Sequence, residues 1–195
     1  MRTELKRLHS ETGSTFVYVT HDQLEAMTLS TRVCLMKAGL LQQYSPPLTV
    51  YGRPENLFVA DFVGSPTINL IPYVCRFAEE GKAVLENGDL TVSFTAASGT
   101  LRVKPGQRLI LGLRPEHLHI GESGSVACQV YSSLPSGMET IVRLRLGGLD
   151  LHAVVFGSLD FAMGAQVRVE FSGNDFLLFD EASTERISEG SLRAL

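Results

Sequence analysis

The sequence predicts an α+β chain in which a mixed segment of helices and strands precedes an all-β barrel or sandwich. Over the first 66 residues, helical and strand patterns alternate. From Thr67 onward, short apolar stretches recur between turn signals, as in small β-barrels and sandwiches. With 44% hydrophobic and 19% charged residues, the composition is that of an ordinary globular protein. We therefore predict two domains, residues 1–66 and 67–195.

In the first segment, apolar periodicity and turn residues define each predicted element. An amphipathic helix covers residues 1–10 and stops near Gly13. The apolar run FVYV predicts a buried strand, and Asp22 with Glu25 predicts a helix N-terminus. Two short runs that meet at Gly39 predict a hairpin. The remaining predicted elements are strand 16–19, helix 23–30, hairpin strands 33–36 and 40–43, and helices 47–51 and 55–63.

The second segment is predicted to be built from strands. Turn residues such as Lys104-Pro105-Gly106 and Gly147-Gly148 separate its apolar runs. Beyond Glu181 the chain is polar, and we expect it to be frayed. The predicted strands are 83–85, 90–94, 108–113, 125–131, 140–146, 151–156, 166–171 and 176–179.

Charge and cysteine content exclude several classes of protein. The net charge is −4 and no Lys/Arg stripe is present, so nucleic acid is not an expected partner. The three cysteines are widely spaced, which argues against a disulfide framework or zinc ribbon and favours a reducing cytosol. No signal sequence or apolar stretch of spanning length is apparent, so we expect a chain that neither is secreted nor spans a membrane on its own.

His21 is the residue that the sequence singles out for chemistry. It lies between the predicted strand 16–19 and the helix that follows, where open α/β sheets place ligand-binding groups. A lone histidine at such a position is also compatible with a plain surface residue. Asp22 either orients the imidazole or serves only as the helix N-cap.

Two stretches of sequence carry a family resemblance. Residues 18–66, which begin YVTHDQLEAM, resemble the end of the nucleotide-binding domain of ABC transporters, in particular the ATPase subunits of carbohydrate importers. Residues 113–118, LRPEHL, resemble part of the β-rich regulatory domain, of TOBE type, that this class carries. The resemblance implies an incomplete α/β remnant of the ATPase domain over 1–66 and an OB-like regulatory domain over 67–195.

The resemblance also implies a function. His21 corresponds to the switch histidine, which contacts the γ-phosphate of ATP in that family. An intact subunit would bind ATP and Mg²⁺, form a homodimer through the regulatory domain, and drive membrane permease subunits that import sugars or related solutes. It would be cytoplasmic, on the inner face of the cell membrane.

Several catalytic motifs of that family are not found in these 195 residues. Neither the P-loop pattern GxxxxGK[ST] nor an LSGGQ-like signature occurs. FLLFDE, residues 176–181, mimics a Walker B strand but follows His21, whereas Walker B precedes the switch histidine in the family. We expect this chain alone to hold no cofactor and not to hydrolyse ATP. The alternative function is a free-standing β-barrel module that binds a small oxyanion or an oligosaccharide.

The LRPEHL stretch supplies the remaining candidate residues. Arg114 and Glu116 flank a proline turn, where they would form a local ion pair or a regulatory contact. His117 and His119 would share one face if they lay on a strand. Without a cysteine or carboxylate cluster beside them, we expect no metal site there.

Overall fold

The computed structural model describes residues 2–122 and 124–195, and the chain divides into two compact units. The N-terminal unit is Met1–Gly64 and the C-terminal unit is Ser65–Leu195. The boundary predicted from the sequence lies two residues further along the chain. No helix in the described ranges has both the length and the hydropathy needed to cross a membrane.

The N-terminal unit combines short helices with one antiparallel hairpin. Ala38 and Gly39 form its turn with φ of 49° and 80°, the left-handed pair that suits the twist of a two-residue hairpin. The predicted hairpin and the helix ends at Gly13 and Asp22 are confirmed. The elements are α1 Arg2–Thr12, α2 Gln23–Leu29, β1 Val33–Lys37, β2 Leu40–Ser45, α3 Pro47–Gly52 and α4 Leu57–Phe62.

The predicted buried strand at residues 16–19 is wrong for this chain. These residues belong to no helix or strand, and Val17 and Val19 are 90% and 91% exposed. A β-branched run forms a strand only when neighbouring strands supply its hydrogen bonds and cover its faces. The hairpin β1–β2 is a separate two-stranded sheet and does not pair with this run. His21 therefore follows a segment without regular secondary structure rather than the end of a strand.

The C-terminal unit is almost entirely β-structure. Its strands form a closed barrel in the order β12-β13-β5-β4-β3-β6 and a second sheet in the order β10-β9-β8-β11-β7. The elements are β3 Asn69–Glu79, β4 Lys82–Glu86, β5 Thr91–Ala96, β6 Arg108–Leu113, a 3₁₀ turn at Pro115–His117, β7 Leu118–Gly121, β8 Val126–Pro135, β9 Glu139–Leu146, β10 Leu149–Phe156, β11 Gln166–Phe171, β12 Phe176–Asp180 and β13 Arg186–Ala194. The predicted all-β architecture of this part is confirmed at the level of barrel-like sheets.

The polar tail is not frayed, contrary to the sequence prediction. Residues 186–194 form β13, which pairs with β12 on one side and with β5 on the other. Ser188, Gly190 and Leu192 are buried on one face of this strand. A small barrel leaves little room inside, so small residues replace the large apolar ones that normally mark a strand.

The run that mimics Walker B is a barrel strand. β12 Phe176–Asp180 lies between β6 and β13, and four of its five residues are buried. Asp180 accepts hydrogen bonds from the backbone N–H groups of Ala182 and Ser183 and from Gln107. These bonds lower the pKa of Asp180, and the bond from the Ser183 backbone N–H has the largest effect. The ionised carboxylate therefore stabilises the folded chain at neutral pH, and this stabilisation is lost as the pH falls through the lowered pKa. Asp180 therefore shapes the β12–β13 turn.

Asn69 connects the barrel to the edge of the second sheet. Its side-chain Nδ2 donates to the carbonyls of Leu113 and His152 at 3.1 and 2.9 Å, and its Oδ1 accepts from the His152 N–H at 2.7 Å. Asn69 is only 6% exposed, so water has little access to this place. If the Asn69 side chain were removed, water would not replace its hydrogen bonds to these backbone groups of β6 and β10.

We expect Asn69→Ala to lower the free energy of unfolding by about 3 kcal/mol, since it leaves buried donors and acceptors unpaired. Urea unfolding followed by circular dichroism measures this loss. The matched control is Asn174→Ala, at an exposed position in the β11–β12 loop, which should change the free energy by less than about 0.5 kcal/mol. Equal stability of the two variants would contradict the role given to Asn69.

Candidate functional site

His21 is held at the start of α2 by a local hydrogen-bond network. Asp22 is the N-cap, and its Oδ1 accepts the backbone N–H of Glu25 at 3.0 Å. The Glu25 carboxylate in turn accepts from the hydroxyls of Tyr18 and Thr20 at 3.0 and 3.2 Å. Thr20 Oγ1 also accepts the Asp22 N–H at 2.9 Å. The backbone on both sides of His21 is therefore fixed although the preceding segment forms no strand.

The His21 ring itself points to solvent. It is exposed and forms no hydrogen bond or ion pair with another described residue. An imidazole in this position can donate an N–H to an incoming anion such as a phosphate oxygen. Of the two roles considered for Asp22, the N-cap role is the one observed.

Gln23 ties α2 to the end of the N-terminal unit, a role that sequence reasoning missed. Its Nε2 donates to the carbonyl of Phe62, and its Oε1 accepts the Gly64 N–H at 3.0 Å. This side chain therefore couples the residues next to His21 to the end of α4, which spans Leu57–Phe62. The hydrogen-bond partners of Gln23 lie about forty residues away in the sequence, so no local pattern predicts them. The sequence marks Gln23 solely by its position directly after the N-cap.

Arg114 and Glu116 lie in the C-terminal unit, whereas His21 lies in the N-terminal one. They flank Pro115 in the 3₁₀ turn, as the proline turn predicted, but Arg114 is buried, with 4% of its surface exposed. The regulatory contact considered for Arg114 and Glu116 stays a prediction.

His117 and His119 do not lie on one strand, so the condition for a shared strand face is not met. His117 ends the 3₁₀ turn, and His119 is exposed in β7. The Nε2 atom of His117 lies 3.5 Å from the Asp175 carboxylate, and its ring meets Phe176 edge-on at a centroid distance of 5.6 Å. No group of three or more His, Cys, Asp or Glu side chains among the described residues is arranged to hold a metal ion.

The glycine pair in RLRLGGLDL forms a turn, as predicted. Gly147 and Gly148 join β9 to β10, and Gly147 has a φ of 56°. The Asp89 carboxylate accepts the Gly148 N–H at 3.3 Å and lies where a Gly147 side chain would begin. A β-carbon at position 147 would therefore collide with Asp89 as well as strain the backbone.

Two family models match the C-terminal unit in succession. The MalK OB fold domain matches residues 64–118, and the TOBE domain matches residues 111–179. These matches cover the barrel strands β3–β6 and all five strands of the second sheet. Fold and matches together assign the C-terminal unit to the MalK OB fold and TOBE domains.

Relatives extend the similarity to the whole chain. The "sn-glycerol-3-phosphate import ATP-binding protein UgpC" of Ruegeria sp. (strain TM1040) is 35% identical over 97% of this chain and 51% of its own length. The "Sulfoquinovosyl glycerol transport ATP-binding protein SmoE" of Agrobacterium fabrum (strain C58 / ATCC 33970) is 36% identical over 95% of this chain and 51% of its own length. The chain thus spans about half the length of the curated relatives it matches.

One solved structure shares a more distant likeness. The molybdate-bound form of the "cytoplasmic molybdate-binding protein ModG" superimposes with a TM-score of 0.47 at 17% identity, over 56% of this chain and 94% of that one. This likeness is too distant to indicate a ligand. The domain matches and the relatives agree with each other, and they confirm the resemblance seen in the sequence: this chain belongs to the ATP-binding subunits of ABC importers and corresponds to their C-terminal half.

Proposed function

We propose that this chain carries the switch histidine and the regulatory domain of an ATP-binding subunit that drives the import of sugars or related solutes. The similarity to import ATP-binding proteins along nearly the whole chain carries the proposal. Both units therefore have counterparts, in the same order, in proteins named for solute import. A free-standing binding module would need no such counterpart for its N-terminal unit.

In the intact subunit, His21 would donate a hydrogen bond to the γ-phosphate of ATP, with Mg²⁺ balancing the phosphate charge. Its exposed ring and fixed backbone suit this role, because the ring is free to meet a phosphate while the turn holds its position. A charge-assisted hydrogen bond of this kind contributes about 1.5–3 kcal/mol and disappears when the γ-phosphate leaves. Loss of the bond would report hydrolysis to α2 and, through Gln23, to the end of α4.

The N-terminal unit is, in this proposal, the final part of the ATPase domain. Its apolar residues Val17 and Val19 are almost fully exposed, which suits a strand whose neighbours are supplied by the rest of such a domain. The C-terminal unit would form the homodimer contact. Membrane permease subunits would hold the assembly on the inner face of the cell membrane.

Paired measurements of ATP hydrolysis test this function. We expect the 195-residue chain alone to release no phosphate from ATP above the buffer rate, because it lacks a P-loop to position the nucleotide. We expect the intact subunit, reconstituted with its permease in vesicles, to show ATP-dependent solute uptake. Hydrolysis by the chain alone, or uptake that persists without ATP, would contradict the proposal.

A further inference from the structure

We propose that one face of strands β8, β9 and β10 binds the same face of a second copy of this chain. The opposite face of these strands is buried against the core, through residues such as Val142, Leu144 and Leu151. The side chains that alternate with the buried ones point away from the core. The outer face, as it is called below, is defined by Leu134, Glu139, Ile141, Arg143, Val154 and Phe156. The proposal rests on the homodimer proposed above and adds its contact surface.

An apolar row crosses the middle of the outer face. Leu134 of β8 pairs with Ile141 of β9, and Ile141 pairs with Val154 of β10, so the three side chains stand next to one another. Phe156 lies two residues beyond Val154, on the same face of β10. Leu134 and Phe156 are 61% and 80% exposed, and none of the four is among the described residues that pack against the core. A contiguous apolar surface of this kind indicates a protein-binding site.

Charges of opposite sign flank the apolar row. On β9 the outer-face positions are Glu139, Ile141, Arg143 and Arg145, spaced about 7 Å apart along the strand. The Glu139 carboxylate forms no hydrogen bond or ion pair with another described residue. Arg143 Nη2 and Arg145 Nε lie 2.9 and 3.4 Å from the Asp150 carboxylate, so two cations share one anion. The row therefore has an acidic end and a basic end.

The two arginines are held in position before any partner binds. Their guanidinium carbons lie 4.9 Å (Arg143) and 4.5 Å (Arg145) from the centroid of the Tyr131 ring. The Asp150 carboxylate fixes them from the other strand. Their side chains are nevertheless 41% and 47% exposed, so N–H groups remain accessible to a partner. Because both side chains are already ordered, their use in an interface costs little conformational entropy.

The order of charges along β9 selects a second copy as the partner. A two-fold axis through Ile141 places Glu139 of each copy against Arg143 of the other, and the apolar row against its own counterpart. Such a pair resembles two stacked sheets, which pack about 10 Å apart. Glu139 and Asp150 together balance the charges of Arg143 and Arg145, so the face attracts no partner of a single sign, such as a nucleic acid.

Sedimentation velocity of the 195-residue chain tests this surface. We expect a dimer at micromolar chain concentrations. Phe156→Ser should weaken dimerisation about ten-fold or more, because each copy loses an exposed aromatic side chain from the interface. The control is Leu48→Ser, which removes an 85% exposed leucine from the N-terminal unit and should leave the dimer unchanged. Circular dichroism spectra establish that each variant is folded.

Charge reversal tests the two-fold arrangement itself. Glu139→Lys alone and Arg143→Glu alone should each weaken dimerisation, because like charges then meet across the interface. An equimolar mixture of these two variants should dimerise as the unchanged chain does, since every contact between them joins opposite charges. Phe156 is exposed, so Phe156→Ser remains a test if Arg143→Glu does not fold.

Three results would overturn the proposal. They are a monomeric unchanged chain, a Phe156→Ser dimer as tight as that of the unchanged chain, and a mixture of the charge variants that dimerises no better than either variant alone. Each of them would leave ATP-driven uptake by the intact subunit untouched. The contact surface and the importer function can therefore fail separately.

Discussion

Replacing His21 by alanine in the intact ATP-binding subunit is expected to lower kcat for ATP hydrolysis by about two orders of magnitude, with little change in KM. A preorganised donor that meets charge on the transferring phosphoryl group acts mainly in the transition state, so its removal affects turnover more than binding. The Thr20, Asp22 and Glu25 network fixes the backbone around His21 without using its ring. The substitution should therefore leave the local fold intact.

The control for this experiment is His119→Ala, which removes an exposed histidine from β7 in the other unit. It should keep the kcat of the unchanged subunit. Steady-state phosphate release over a range of ATP concentrations gives kcat and KM for both variants. A His21 variant that retains more than about half of the original kcat would rule out the switch role.

The second prediction concerns the hydrogen-exchange rate of the backbone amides in the exposed run at residues 16–19. In this chain we expect its backbone amides to exchange with solvent at close to the rate of an unstructured peptide, since the run belongs to no helix or strand. In the intact subunit we expect the same amides to exchange at least about a hundred-fold more slowly, because neighbouring strands would supply ladder hydrogen bonds and cover Val17 and Val19.

Hydrogen exchange read by mass spectrometry on peptides covering residues 13–20 makes this comparison. The peptide covering α4, Leu57–Phe62, is the internal control, because buried Val59 and Ala60 already anchor that helix here. Equal exchange of the 13–20 peptide in both proteins would mean that the run is not a strand of a larger sheet.

Features determined by neighbouring residues were predictable from the sequence. The hairpin turn at Ala38-Gly39, the N-cap at Asp22 and the helix stop at Gly13 each need only local backbone geometry, and each was predicted correctly. The helix α1 runs two residues past the predicted end, which is the usual scatter of helix boundaries.

Features determined by distant residues were not predictable in this way. The run at 16–19 has strand propensity, but whether it forms a strand depends on partners that this chain does not supply. Strand β13 was missed because its interior positions carry Ser188 and Gly190 instead of large apolar residues. Strand β3 was missed because Pro72 interrupts it, although Pro72 precedes the part of β3 that pairs with β4 and so costs no hydrogen bond there.

The candidate functional residues also differ in whether the sequence alone could reveal them. His21 and the LRPEHL stretch were found through a family pattern, which records a function that local propensity does not express. Gln23 and Asn69 act on backbone groups about 40 and 80 residues away, and neither has a local sequence signal.

In our proposal, this chain is the C-terminal half of an importer ATP-binding subunit. The most direct measurement is the DNA sequence immediately upstream of the Met1 codon, read in the same frame. We expect an open reading frame that encodes a P-loop, a signature motif and a Walker B strand, in that order. An in-frame stop codon followed by a ribosome-binding site directly before Met1 would contradict it.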